Sequence, residues 1–433
     1  MTALAGAVAD PERLAPLRHN REFVMLWSGA GFASLGARIG LIAYPLLVLW
    51  HTGSATVAGL VLFAALLPNL LVQLPAGVLV DRWDRRRLMI YSDIGCCLAA
   101  GSVALTVLMD RIWLPQLIAV AFVVSSLGIV HGLAERGGVR NLVDARQLSM
   151  AISQYEIRSR TVGLLGQPIG TVLFTLVRWL PFFVTALAHL ASLAMVLMIK
   201  KSFQAERTGP PRRLRTEMAE GLAWTWRQRM LRTVLGFLAA TNVLFQCLAL
   251  ALMVVVLQGG HSPAAFGLIV TVGGVGGALG ALTGMWWRRR LDLRAIVVGT
   301  MVVWAVLMPC AALSRDPIIL GVIFSGMTYA GGVINVAGAV YQVQTTPDAL
   351  QGRVGSVMML IGSGATSLGA LGGGVVVDTF GVTRTVLGLG AIMAALVVLA
   401  LLSPVVRAPV DRSLVAPLGL SKASPPRHDG ARS

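Results

Sequence analysis

Residues 56–79, TVAGLVLFAALLPNLLVQLPAGVL, carry no charged side chain, and the run then gives way to Val80-Asp81-Arg82-Trp83-Asp84-Arg85-Arg86-Arg87. A helix needs about 20 apolar residues to cross the hydrocarbon core of a bilayer, so this stretch can span one and deliver a charged loop to one face. The same alternation recurs along the chain. Apolar runs occupy residues 23–50, 56–79, 88–109, 114–134, 152–177 and 181–199. A second set occupies 233–257, 264–287, 295–313, 318–342, 354–377 and 385–402. A helix satisfies its own backbone hydrogen bonds, which lipid cannot do. The pattern predicts an all-α membrane protein with twelve transmembrane helices.

Composition agrees. Hydrophobic residues make up 56% of the 433 and charged residues 13%, with a mean hydropathy of +0.76. Soluble domains carry roughly 25% charged residues, so this chain cannot build a water-facing surface of ordinary size. The net charge of +17 sits in short clusters between apolar runs, without a continuous basic face, which argues against nucleic-acid binding. Cys96, Cys97, Cys247 and Cys310 all lie in apolar runs with no CxxC or Cys/His spacing, so neither a disulfide framework nor a metal site is expected. No cofactor is expected. The N-terminal segment contains Pro11 and Pro16 and no apolar stretch, so a removable signal peptide is not expected.

Alternate loops differ sharply in charge. Of 36 Lys and Arg, only Arg111, Arg178, Arg315 and Arg384 fall in one set of loops, and Arg38, Arg158 and Arg160 fall inside spans. All others lie in the opposite set, which the positive-inside rule assigns to the cytoplasm together with both termini. The expected location is the cytoplasmic (inner) membrane of a bacterium.

The sixth and seventh runs are separated by a polar, proline-interrupted segment with an amphipathic helix. The expected divisions are a cytoplasmic segment 1–22, a six-helix bundle 23–199, a linker 200–232, a second six-helix bundle 233–402 and a disordered tail 403–433. The halves echo each other: Ser54-Ala-Thr-Val-Ala-Gly59-Leu60 opens the second run and Ser262-Pro-Ala-Ala-Phe-Gly267-Leu268 opens the eighth. Duplicated bundles place a binding site between them.

The loop Gly77-Val-Leu-Val-Asp81-Arg82-Trp83-Asp84-Arg85-Arg86-Arg87 resembles the G-x-x-x-D-R-x-[GD]-R-[RK]-x signature of the major facilitator superfamily. Thr346-Pro347-Asp348-Ala-Leu350-Gln-Gly352-Arg353-Val354 resembles a signature of its drug and siderophore exporters, the enterobactin and macrolide exporters among them. Gly369, Gly372, Gly373, Gly374 and Gly381 fit the same group. The resemblance implies a gating loop, Arg82 included, in which Gly77 allows close helix approach and Asp81 sits against the start of the eleventh helix. Arg85, beside Arg86, would pair with Glu135, or failing that with Asp144. In the fifth run, Gly163-Leu-Leu-Gly166-Gln167-Pro168-Ile169-Gly170-Thr171 resembles an antiporter motif, with Gln167 and Thr171 as departures. Its glycines equally suit simple helix packing.

Ionisable groups inside a bilayer are costly and hence candidates for function. Arg38 lies fifteen residues beyond Phe23, roughly 22 Å along a helix, too deep to reach an interface easily. It either lines a cavity or belongs to a buried ion pair. His131 and Glu135 share a helical face, and His131 can shuttle protons. Asp93 is a candidate for coupling or for a structural role. Glu156 and Arg160 suit an interfacial ion pair. Many exporters of this kind carry an acid where Ala37 stands, so Arg38 beside it favours an anionic substrate or counter-ion. From the second half, Asn242, Gln246, Tyr329 and Asn335 could line the cavity or join helices.

The expected function is alternating-access efflux of small amphipathic molecules, a drug or secondary metabolite, with protons as coupling ion and a monomer as the working unit. Uptake or symport of a small organic anion by the same fold is the alternative. A membrane-embedded enzyme or haem protein is more distant, since paired ligating histidines are missing from the sequence. No phosphate-binding loop for an ATP-driven pump occurs either.

Overall fold

The computed structural model describes residues 16–201, 203, 223, 226, 229–346 and 348–402. The described residues are helical almost throughout, and ten helices are long and apolar enough to cross a membrane. The second span is a bent pair, Ala55–Leu71 and Gln73–Arg82, whose axes differ by 51°. Expected as one continuous helix over 56–79, it breaks because Pro68 and Pro75 each remove an N–H bond to the preceding turn. The fifth, Leu148–Leu176, is long enough to cross but too polar to join the ten, interrupted by Glu156, Arg158, Arg160 and Gln167.

The other spans are the first, Arg21–Thr52; third, Arg85–Leu108; fourth, Leu114–Leu142; and sixth, Leu180–Met198. The second half comprises the seventh, Arg229–Gln258; eighth, Pro263–Arg290; ninth, Leu293–Cys310; tenth, Pro317–Thr345; eleventh, Asp348–Phe380; and twelfth, Val382–Leu402. Side-chain caps fix several starts: Asn20 accepts from the Phe23 N–H, Ser54 from Val57, Asp84 from Arg87 and Asp292 from Ala295. Gly53, at φ 70°, ends the first span in the left-handed region, and Gly381, at φ 77°, turns the eleventh into the twelfth.

Packing is duplicated. In the first half the first span lies on the fifth and sixth, the third on the fourth and sixth, and the second on the fourth. In the second half the seventh lies on the eleventh and twelfth, the ninth on the tenth and twelfth, and the eighth on the tenth. The halves meet chiefly through the second span against the eleventh and the fifth against the eighth.

The two ends of the bundle differ. At the basic end, which carries Arg82, Arg85–Arg87 and Arg288–Arg290, each half keeps a separate buried core: one around Leu26, Met89, Ala134 and Val196, the other around Leu293, Ile296, Val333 and Ala337. Toward the opposite end, one core runs across both halves, joining Leu46, Val61 and Phe182 to Leu248, Ile269 and Met393. The molecule is joined at one end and parted at the other.

Candidate functional site

The repeated heptapeptides mark where the halves touch at the joined end. A methyl group at Gly59 would sit 2.5 Å from the Ala370 carbonyl oxygen, and one at Gly374 would strike the Ala55 carbonyl. At the equivalent place in the other pair, a methyl at Gly267 would strike the Thr171 hydroxyl. Polar caps sit beyond both contacts. The Asp378 carboxylate accepts from the Ser54 hydroxyl at 2.8 Å, the Ala55 N–H at 2.9 Å and the Thr56 N–H at 2.8 Å. The Thr175 hydroxyl accepts from the Ala264 N–H at 2.9 Å. Each half thus caps the N-terminus of a helix in the other, where unpaired N–H groups and the helix dipole favour an acceptor.

Between the halves lies a cavity of about 290 Å³ with Arg38 in its wall, bordered by Gln167 on the fifth span and Gln246 on the seventh. The rest of its described lining is apolar and includes Leu62, Met253, Phe266 and Phe324. Arg38 is exposed to this space, and no described residue gives its guanidinium a hydrogen bond or an ion pair. A second, wider-mouthed cavity of about 420 Å³ lies nearer the basic end, between Asn69, Asn242, Met359 and Thr366. Leu66 lines both. Asn242 and Gln246, four apart on one helical face, therefore border successive parts of one route.

Tyr329 and Asn335 line neither cavity. The Tyr329 hydroxyl accepts from the Thr283 hydroxyl at 3.0 Å and the Trp287 ring N–H at 2.8 Å, tying the tenth span to the eighth. Asn335 is exposed. In the fifth span Gly166 and Gly170 pack on the first: a methyl at Gly166 would strike Arg38 Cβ, and one at Gly170 would lie 3.0 Å from the Ile39 carbonyl oxygen. Gly163 meets nothing within 4 Å, so the small-residue surface is two glycines long, with Pro168 between them inside the helix.

A buried ionic network fills the first half. Asp93 is fully buried on the third span. Its Oδ1 is 2.9 Å from His189 Nδ1, its Oδ2 accepts from the Ser192 hydroxyl at 2.7 Å, and His131 Nε2 approaches Oδ2 at 3.4 Å. One turn along the fourth span, Glu135 is paired with Arg158 of the fifth at 2.5 Å. Arg158 also donates to the Trp27 carbonyl at 2.6 Å. The network thereby crosses five helices of one bundle. His189 Nε2 is buried without a partner among the described residues. The sequence marks His189 only as an ionisable group inside a span, not as the partner of Asp93.

The loop at the basic end departs from expectation in two ways. Glu135 is committed to Arg158, and Asp144 pairs with Arg146 at 3.2 Å, so neither is the partner of Arg85. The Arg146 side chain and N–H hold the exposed Asp144 carboxyl below its usual range. Arg85 instead donates to the Gly137 carbonyl at 3.0 Å and the Phe203 carbonyl at 3.3 Å. Arg86 caps the end of the sixth span through Val196 and Leu197 carbonyls, a placement the helix dipole favours. Gly77 is the second departure: a methyl there would meet nothing within 4 Å, because this segment packs on the fourth span through Ala76 and Val80 and turns Gly77 away from that contact. Asp81 and Arg82 lie exposed at the end of that helix. Pro347 and the side chains of Asp348, Leu350 and Arg353, at the start of the eleventh helix expected to face Asp81, lie outside the described residues. Glu156 and Arg160 form an exposed pair at 3.8 Å. Among the described residues no group of acids, histidines and cysteines could hold a metal, and all four cysteines are free.

The chain is 29% identical over 400 residues to the multidrug efflux pump Tap of Mycolicibacterium fortuitum, covering 89% of this chain and 95% of that one. It is 27% identical over 375 residues to the Tap pump of Mycobacterium tuberculosis, covering 82% and 87%. Its fold is similar to the crystal structure of the nucleoside transporter NupG, with a TM-score of 0.68 at 12% identity, over 88% of this chain and 98% of that one. The twelve-span duplicated architecture, the cavity between its halves and a match over residues 12–416 agree: this multi-pass membrane transporter belongs to the transmembrane secretion effector family of the major facilitator superfamily.

Proposed function

We propose that the protein exports small amphipathic molecules across a bacterial cytoplasmic membrane by proton-coupled alternating access. One observation carries this reading: a single core joins the halves at one end, while separate cores face each other at the basic end. A transporter caught open to one side has this shape. The excess of Arg and Lys at the parted end supports a cytoplasmic opening, with both termini on that side. A mostly apolar cavity with a few polar groups suits drug-sized ligands. The multidrug efflux relatives support export.

Asp93, His131 and His189 are the proton carriers in this proposal. Asp93 faces His189 and Ser192 from the sixth span and His131 from the fourth, with Cys96 on its own helix, and the Glu135–Arg158 pair lies beyond it, beside His131. A shared proton among one carboxylate and two imidazoles changes the charge of a site that lipid-depth burial makes expensive to leave unbalanced. Asp81, Arg82, Arg85 and Arg86 serve the switching of the basic end, and a monomer is the working unit. The test is transport of a panel of acidic, neutral and cationic amphipathic fluorophores, ethidium among them, by the purified full-length protein in proteoliposomes, with and without an imposed pH gradient. Accumulation that collapses with the gradient is expected; equal accumulation without it refutes proton coupling, and none under any gradient refutes export.

A further inference from the structure

Arg38 is a cation exposed in a cavity whose described lining includes no acid. We infer that this cavity takes amphipathic organic anions, the ligand's carboxylate or sulfonate seated on Arg38 and its apolar body against Leu62, Met253 and Phe266. This rests on the transport reading above and names the ligand class of the same cavity.

Four observations support it. A guanidinium at this depth needs a counter-charge or water, and no described residue supplies hydrogen bonds or an ion pair. The two buried acids of the same half are already engaged: Asp93 by His189, Ser192 and His131, and Glu135 by Arg158. Gly166 packs against Arg38 Cβ and Cγ where a methyl group could not fit, which brings the first span close to the fifth and Arg38 beside Gln167. Gln167, the residue after that glycine, and Gln246 from the other half add amide groups at the same wall, enough to complete a carboxylate's hydrogen bonds from both bundles. Arginine's planar fork matches a carboxylate in two parallel bonds, which lysine cannot reproduce.

Binding of 1-naphthylacetate and its neutral amide, 1-naphthylacetamide, to the full-length protein in detergent tests this by titration calorimetry. The two differ only in charge and one heavy atom. Wild type is expected to bind the acid at least tenfold more tightly than the amide. Arg38→Gln should remove that preference while leaving amide affinity within about twofold, and Arg38→Lys should keep only part of it. Equal binding of acid and amide by wild type, an unchanged preference in Arg38→Gln, or no binding of either probe overturns the inference. Replacing the detergent by vesicles with and without anionic lipid separates a soluble ligand from a lipid headgroup: acid binding lost only with anionic lipid present means that the headgroup occupies Arg38, and the inferred soluble ligand is then wrong. Transport of the fluorophore panel is read on the same protein in proteoliposomes, so a failure of export and a failure of anion preference register separately.

Discussion

Asp378→Ala should release the joined end. The carboxylate holds the start of the second span by three hydrogen bonds of 2.8–2.9 Å from the other half, two of them from backbone N–H groups. Hydrogen bonds to a charged group contribute about 1.5–3 kcal/mol where water is excluded. This site is partly open to solvent, and removal of an N-cap acceptor costs about 0.5–2 kcal/mol. A value near 2 kcal/mol shifts the equilibrium between the joined and opened states of this end roughly 30-fold. A cysteine at Leu62, in the cavity wall and on a background without Cys96, Cys97, Cys247 and Cys310, reports the shift through its rate of reaction with a membrane-impermeant maleimide. Added at the joined face, the reagent should react about 30 times faster in Asp378→Ala while the fully opened state remains rare. Thr175→Ala removes one neutral bond, to the Ala264 N–H, and should accelerate labelling by several-fold only. Equal labelling rates in wild type and Asp378→Ala would refute the reasoning, because the carboxylate would then not hold the halves together.

Other consequences concern the buried network and the helix contacts. Arg158→Ala strands the Glu135 carboxylate and frees the Trp27 carbonyl, and should lower stability by about 3–5 kcal/mol, read as a large fall in melting temperature; Glu135→Gln with Arg158→Met together should recover much of it. Asp93→Asn should abolish accumulation driven by a pH gradient while leaving exchange of ethidium down its own gradient intact, whereas loss of both activities would mark Asp93 as structural. Gly59→Val should clash with the Ala370 carbonyl, part the second and eleventh spans, and mimic Asp378→Ala in the maleimide assay. Cysteines at His261 or Ser314 should react with the impermeant reagent from outside intact cells and one at Gln204 should not; the reverse sidedness would invert the topology.

The helices were legible because uninterrupted apolar runs leave the backbone no other solution in lipid. Where the second span bends was not, since prolines are tolerated in membrane helices and Pro68 and Pro75 alone do not say how neighbours reshape the break. The duplicated heptapeptide was visible in sequence, but its consequence, the two glycines at which the halves touch, depends on the eleventh and fifth spans arriving opposite them. Arg38 could be singled out by depth alone, and Gln167 entered only as a departure from a motif, though both border the cavity. Glu135 was assigned to Arg85 because a loop signature reads along the chain, whereas the partner found, Arg158, comes from the next helix folding back beside it. The pairing of His189 was not legible for a similar reason: its acid, Asp93, lies 96 residues away.

Alternating access is tested most directly by two distances measured together. Spin labels at Leu71 and Met359 report the parted side of the second and eleventh spans, and labels at His51 and Phe380 report the joined end; all four positions are exposed. Pulsed electron–electron resonance on the protein in lipid nanodiscs, with Asp378→Ala added to favour opening, should show the His51–Phe380 distance lengthen while the Leu71–Met359 distance shortens. If both distances lengthen, or if neither moves while ethidium is still transported, the halves do not exchange their joined and parted ends.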